Sequence, residues 1–355
     1  MSANLLDAIQ ANLLSPALLF FVLGIVATLL KSDLKFPEPL YITLTIYLLT
    51  AIGFKGGAAL SEAGFAQVWL PVLAGIALGV MIPLWTYAAL RHLGRFSRID
   101  AAAICAHYGS VSAVTFIAAT NFLKQVNTPY PEYATAFLAV MESPAIVVGV
   151  ILGKLALAPA AQAGAGGAAG ASGAGANSPA SDVPTSLSSV LRGALHEALC
   201  GRSVVLLVGA LIVGILAGKR GLDTTAGFFV TPFQGVLALF LLEMGMVAAR
   251  RLADLRKAGP FLLAFGIVAP LINGVIGVFI GKWEGLGVGG SMLFGTLAAS
   301  ASYIAAPAAI RLALPEANPT YYLTAALGIT FPFNIALGLP IYLATARWAF
   351  GADAS

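Results

Sequence analysis

Two polar interruptions stand out in an otherwise apolar chain, and each carries two serines spaced Ser-x-Ser. Tyr108-Gly109-Ser110-Val111-Ser112-Ala113 holds two hydroxyls with Thr115 shortly after, and Ser300-Ala301-Ser302-Tyr303 holds two hydroxyls and a phenol ahead of Pro307. A proline inside an apolar helix removes a backbone donor and collides with the preceding turn, so Pro307 predicts a broken helix. Lipid cannot satisfy the backbone groups that a break releases, and such a segment must be buried in protein or line a wet cavity. The half-helix that follows offers unpaired N–H groups and the positive end of its dipole, which suit a small oxyanion, and neighbouring hydroxyls can donate or accept. A dipole contact is worth roughly 0.3–2 kcal/mol, enough to orient an anion without trapping it, whereas a lone arginine at that depth would cost about 2.5–3.5 kcal/mol. Gly109, Ser110, Ser112, Thr115, Ser300, Ser302 and Tyr303 are therefore the candidates for an anion site. Freed carbonyls and hydroxyls are also hard oxygen ligands of the kind that bind sodium in broken-helix folds, so a bound cation would supply the missing charge.

Glu142, Ser143, Asn334 and Glu243 are the candidates for sodium binding or gating. An acid inside a span is costly and marks a functional site by default. Ser143-Pro144 follows Glu142 and frees carbonyls beside it, while Glu243 has Arg250 and Arg251 as alternative partners. His107 reads as a buried neutral histidine with one hydrogen bond. Lys55, in Gly53-Phe54-Lys55-Gly56-Gly57, reads as a snorkelling lysine. Cys105 and Cys200 are far apart and suit packing rather than a disulfide or metal. The chain contains no Gly-x-x-x-x-Gly-Lys-Ser/Thr, His-Glu-x-x-His or Gly-x-Ser-x-Gly, so neither ATP-driven transport nor the common hydrolases have support, and no enzyme or resident cofactor is expected.

The elements that must position these residues follow from composition. With 59% hydrophobic and 10% charged residues in 355, against about 25% charged in soluble domains, the chain is an all-α polytopic membrane protein. The net charge of +4 comes from Lys and Arg scattered at the ends of apolar runs, which argues for topology rather than nucleic acid. Apolar runs predict ten spans, near 15–30, 39–54, 68–90, 100–122, 133–155, 203–217, 227–248, 260–281, 287–312 and 321–348. They divide into a first five-helix repeat at 1–157, a flexible Ala/Gly/Ser linker at 158–189 and a second repeat at 190–355. Loops after the odd-numbered spans carry 13 of the 19 Lys and Arg, which puts the linker in the cytoplasm and both termini outside. Lys219 and Arg220 go against that rule.

The halves repeat. Ser110 and Ser112 match Ser300 and Ser302 at an offset of 190, as Gly24 matches Gly214; Pro131, Tyr133 and Pro144 match Pro319, Tyr321 and Pro332 at 188. With five spans per half the second repeat is inverted, so the broken fourth and ninth helices should cross and meet near the midplane. The plainer reading of the 299–307 stretch, a proline kink with serines bonded back to their own helix, does not account for the recurrence of its Ser-x-Ser spacing.

These runs, with Met141-Glu142-Ser143-Pro144, Met244-Gly245-Met246 and Pro315-Glu316-Ala317-Asn318-Pro319, resemble the sodium-dependent bicarbonate transporter family, the SbtA-type permeases. The resemblance covers both membrane halves and fails in the linker. It implies a homotrimer in the bacterial inner membrane, a core of crossed broken helices moving as an elevator against a scaffold, and sodium-coupled uptake of bicarbonate. It also implies a PII-like regulator for the cyanobacterial members. The chain departs at Tyr303 from the pattern of the cyanobacterial members, which carry Asp there, and this leaves the sodium stoichiometry and the anion open. A passive anion channel, or a membrane-embedded regulatory binding protein, is the alternative.

Overall fold

A computed structural model describes residues 10, 12–64, 67–167, 200, 202–252 and 254–351. The helices are α1 (Pro16–Leu29), α2 (Glu38–Ala63), α3 (Trp69–His92), α4 (Arg98–Gly109), α5 (Ala113–Gln125), α6 (Thr135–Met141), α7 (Pro144–Gly167), α8 (Arg202–Phe229), α9 (Phe233–Leu252), α10 (Leu255–Trp283), α11 (Gly287–Ala299), α12 (Ala305–Ala313) and α13 (Pro319–Ala349). No strand occurs among the described residues. Among the described residues, eight stretches are long and apolar enough to cross a membrane: α2, α3, Arg98–Gln125, Glu132–Leu157, α8, α9, α10 and α13. The ten spans read from the sequence add α1 and α11, which are apolar but shorter. Helix α7 runs on to Gly167, into the Ala-rich start of the linker, in keeping with alanine's helix preference; residues 168–189 of that linker lie outside the described residues.

Four helices form one group by close backbone contact. Helix α1 lies on α9 and α2 on α8. A Cβ on Gly24 would fall on the Leu242 carbonyl and one on Gly245 on the Phe21 carbonyl; likewise Gly57 abuts Leu211 and Gly214 abuts Phe54. Small residues let helices approach in lipid, where no hydrophobic force drives them together. The second group comprises α3, α4–α7 and α10–α13, packed chiefly as α10 on α11, α4 on α7 and α3 on α4.

The interrupted helices lie inside. Arg98–Gln125 is buried over 94% of its most apolar window, against 22% for Val204–Phe229, so the broken backbone is shielded from lipid as its unpaired groups require. Ser97 starts α4 by accepting from Asp100 N at 3.0 Å, and Asn318 starts α13 by accepting from Thr320 N at 3.0 Å. Two π-helical runs, Thr324–Thr330 and Asn334–Gly338, flank Pro332 in α13. Such bulges re-register a helix around a proline and leave carbonyls for other partners. Asn12 Nδ2 takes one of these, donating to Ile335 O at 2.5 Å.

Candidate functional site

Both predicted breaks are present. Helix α4 ends at Gly109 and α5 begins at Ala113, with Ser110 (φ −94, ψ 134) and Ser112 (φ −110, ψ 113) extended between them. Helix α11 ends at Ala299, Ser300 is extended (φ −79, ψ 158), and α12 begins at Ala305. Pro307 stands just past the break, and in an unbroken helix its ring would collide with the turn at Tyr303. It is the third residue of α12, in the first turn, where the N–H it lacks would have no intrahelical acceptor. Pro144 likewise opens α7 after the Glu142-Ser143 turn.

The two breaks touch. Ser112 N donates to Ser300 Oγ at 2.9 Å, and Ser302 N donates to His107 O at 2.8 Å. The four serines divide by role. Ser300 Oγ, besides accepting from Ser112, donates to Leu297 O at 2.8 Å, and Ser110 Oγ donates to Glu142 O at 2.6 Å, so both hydroxyls hold backbone. Ser112 and Ser302 instead line a common cavity of about 10 Å³ with Leu49, Val111, Ala113, Glu142, Tyr303 and Ile304. That space is at the lower limit for one water.

Ser112 Oγ accepts from Thr115 N at 3.2 Å and Thr115 Oγ1 at 3.0 Å, which caps α5 and leaves the Ser112 proton to donate elsewhere. Ser302 Oγ accepts from Ala306 N at 3.3 Å in the corresponding place. The Tyr303 phenol is buried against the Phe331 ring and faces the Ser112 side chain without a hydrogen bond of normal geometry. The cavity thus combines hydroxyls, the start of a half-helix and one carboxylate.

The other candidates stand further off. Thr115 orients Ser112 and does not line the cavity. A Cβ on Gly109 would meet Pro83 and Ala145, so that glycine serves the packing of α4 between α3 and α7. Ser143 is buried in the turn beside Glu142, and its carbonyl accepts from Val147 N at 3.2 Å. Glu243 pairs with Arg250 at 3.3 Å, the ion-pair alternative, and is not in the cavity wall. Asn334 donates to Ala299 O at 2.9 Å and accepts from Tyr342 OH at 2.8 Å, fixing the last carbonyl before the second break. His107 is structural: Nδ1 bonds Ala103 O at 2.7 Å and the ring stacks on Tyr322.

Sequence reasoning missed Thr330, which shares a 2.7 Å hydrogen bond with Tyr108 OH and donates to Gly266 O at 2.7 Å. Its position 188 residues after Glu142 is the signal that could have found it. Leu49 was also missed, because nothing in an apolar run distinguishes the one residue that closes a cavity. No cluster of three or more His, Cys, Asp or Glu occurs among the described residues, so oxygen ligands, not a soft-metal site, are what the cavity offers a cation.

Two interrupted helices thus meet over a small cavity inside an apolar bundle, an arrangement of half-helix ends that membrane transporters use. Residues 16–347 match the Na+-dependent bicarbonate transporter superfamily. The chain belongs to that superfamily, a family of transporters rather than enzymes, with bicarbonate as substrate and sodium as the ion on which transport depends. No curated protein matches the chain.

Proposed function

We propose that this protein is a symporter that takes up bicarbonate, or a related small monovalent anion, with sodium by an elevator-type movement. The observation that carries this reading is the presence of Glu142 in the same cavity wall as Ser112 and Ser302. At an effective dielectric of about 20, two unit charges of like sign roughly 4 Å apart repel by about 4 kcal/mol. An anion on the serine hydroxyls and the Tyr303 phenol is therefore disfavoured by the carboxylate unless a cation sits with it. Sodium held by Glu142 and nearby oxygens reverses that sign, so each ion raises the affinity for the other, and the reciprocity of linkage makes the coupling mutual. Ser143, in the turn beside Glu142, is a further oxygen ligand for sodium, while Asn334 holds the backbone before the second break and Glu243 acts as an ion-paired gate residue.

We read the chain as ten spans in two inverted repeats with crossed broken helices, joined by the 158–189 linker. The glycine contacts support this. Gly24 on Leu242 and Gly214 on Phe54 exchange under offsets of 190 and 188, as do Gly245 on Phe21 and Gly57 on Leu211. Trp85 Nε1 donates to Asn273 Oδ1 at 3.0 Å, and these two are themselves 188 apart, as expected for partners beside a two-fold axis. In this reading α1, α2, α8 and α9 are the scaffold. Leu49 is then the one cavity wall contributed by it, so sliding the core past α2 removes that wall and admits the anion. We place the termini outside and the linker in the cytoplasm of a bacterial inner membrane, with the protein as a homotrimer open to a PII-like regulator.

The test is labelled bicarbonate uptake into proteoliposomes. Accumulation above equilibrium driven by an inward sodium gradient alone is expected. Equilibration without accumulation would make the protein a passive channel.

A further inference from the structure

A second, larger space lies away from the breaks. A groove of about 710 Å³ runs between α2 and α8 on one side and α3 and α6 on the other, walled by Leu60, Val72, Ala139, Leu211 and Ile215. Its one side-chain hydroxyl, on Ser61, already donates to Ala58 O at 2.7 Å. Apolar walls on membrane-spanning helices face hydrocarbon, and nothing in this lining would hold water there.

One end of the groove carries charge. Gly218 adopts φ 60, ψ −165, which glycine alone tolerates easily, and there α8 turns beside Ser61. The next residues, Lys219 and Arg220, are exposed, and they are the pair that breaks the positive-inside pattern. Beyond the kink, Leu222, Ala226 and Phe229 are half-buried, with Phe229 against Tyr47 and Phe54, and Asp223, Thr224 and Thr225 face outward. This piece of α8 is short and amphipathic and returns along α2 from Ser61 toward Tyr47, whose OH donates to Phe228 O at 2.5 Å. Trp69, 46% exposed on the groove wall, is the residue type that settles at headgroup level.

We infer that the groove is the site of an anionic phospholipid, with an acyl chain between the two helix groups and the phosphate on Lys219 and Arg220. The two cations that topology leaves unexplained then have a ligand. Glu62, next to Ser61 on α2, and Asp223, five residues past the Gly218 kink, are exposed acids that would oppose the phosphate. The lipid would sit where one helix group meets the other, which, on the elevator reading, makes the transport rate depend on lipid charge; binding itself does not rest on that reading.

The test is native mass spectrometry of the purified full chain titrated with phosphatidylglycerol or phosphatidylcholine. Phosphatidylglycerol should be retained more tightly, and Lys219→Ala with Arg220→Ala should weaken it roughly ten- to thirtyfold, given about 1 kcal/mol per cation near a headgroup. Val72→Trp, which fills the groove, should weaken both lipids, while Glu62→Gln and Asp223→Asn strengthen phosphatidylglycerol. The cationic positions are exposed, so their variants keep the fold and the test does not depend on the tryptophan. Equal retention of the two lipids, unchanged by the double variant, would overturn the site, as would a photo-crosslinker at Leu73 that captures a second copy of the chain instead of lipid.

Discussion

The division of the four serines can be tested by removing them one at a time. Ser112 and Ser302 line the cavity, so Ser112→Ala and Ser302→Ala should each remove one hydrogen bond to a charged ligand, roughly 1.5–3 kcal/mol or about ten- to a hundredfold in sodium-dependent anion binding. Ser112 also caps α5 through Thr115 N at 3.2 Å, and losing a cap costs about 1 kcal/mol of stability. Ser302 holds Ala306 N at a longer 3.3 Å, so its variant should lose less. Ser110→Ala removes a hydroxyl spent on Glu142 O and should lower stability with little direct effect on anion affinity. The assay is isothermal titration of bicarbonate at saturating sodium, with thermal melts to separate folding from binding. Residues that share one ligand do not act independently, so the Ser112/Ser302 pair should show a coupling energy of about 0.5–3 kcal/mol. Normal binding by either single variant, or strictly additive losses in the pair, would refute the shared site and leave these serines holding half-helix backbone only.

Other perturbations separate the remaining roles. Glu142→Gln should raise the sodium concentration for half-maximal uptake more than it changes bicarbonate affinity at saturating sodium; an unchanged sodium dependence in a less stable protein would make the acid structural. Asn334→Leu leaves Ala299 O and Tyr342 OH without partners and should lower stability by about 1–3 kcal/mol in a melt, with no change in the sodium-to-anion ratio. Gly24→Leu and Gly57→Leu drive side chains onto facing carbonyls and should destabilise comparably, about 1–3 kcal/mol each, whereas unequal effects would count against equivalent halves. Lys35→Cys should react with an impermeant thiol reagent only from the cytoplasmic side and Asp223→Cys only from outside, and the reverse would overturn the orientation.

Breaks were legible because polar residues in hydrocarbon are costly, and a sequence that keeps Ser110, Ser112, Ser300 and Ser302 inside apolar runs signals irregular backbone. Which serine faces the cavity was not legible. That depends on a rotation of about half a turn in extended backbone, set by contacts such as Ser112 N to Ser300 Oγ between residues 188 apart. Pro307 marked the second break but not its bounds: a proline in the first turn of a half-helix tells that the preceding turn is interrupted, not where the first half ends. Glu243 and Arg250 are seven residues apart on α9, two turns of one face, so their pairing was readable as an alternative but not decidable from spacing. The kink at Gly218 reads in sequence as a loop between spans, because a short amphipathic helix and a polar loop share the same composition.

The interleaving of α1 with α9 and α2 with α8 has a consequence for biosynthesis. Gly57 finds its facing backbone only when Leu211 and Gly214 have been made, roughly 150 residues later, which at about 5–20 residues per second is on the order of ten to thirty seconds. During that interval α1 and α2 sit in the bilayer with their glycine faces uncovered. The nascent first half should therefore need shielding by insertion chaperones, and truncated chains that stop before α8 should be degraded rather than accumulate as a half-transporter.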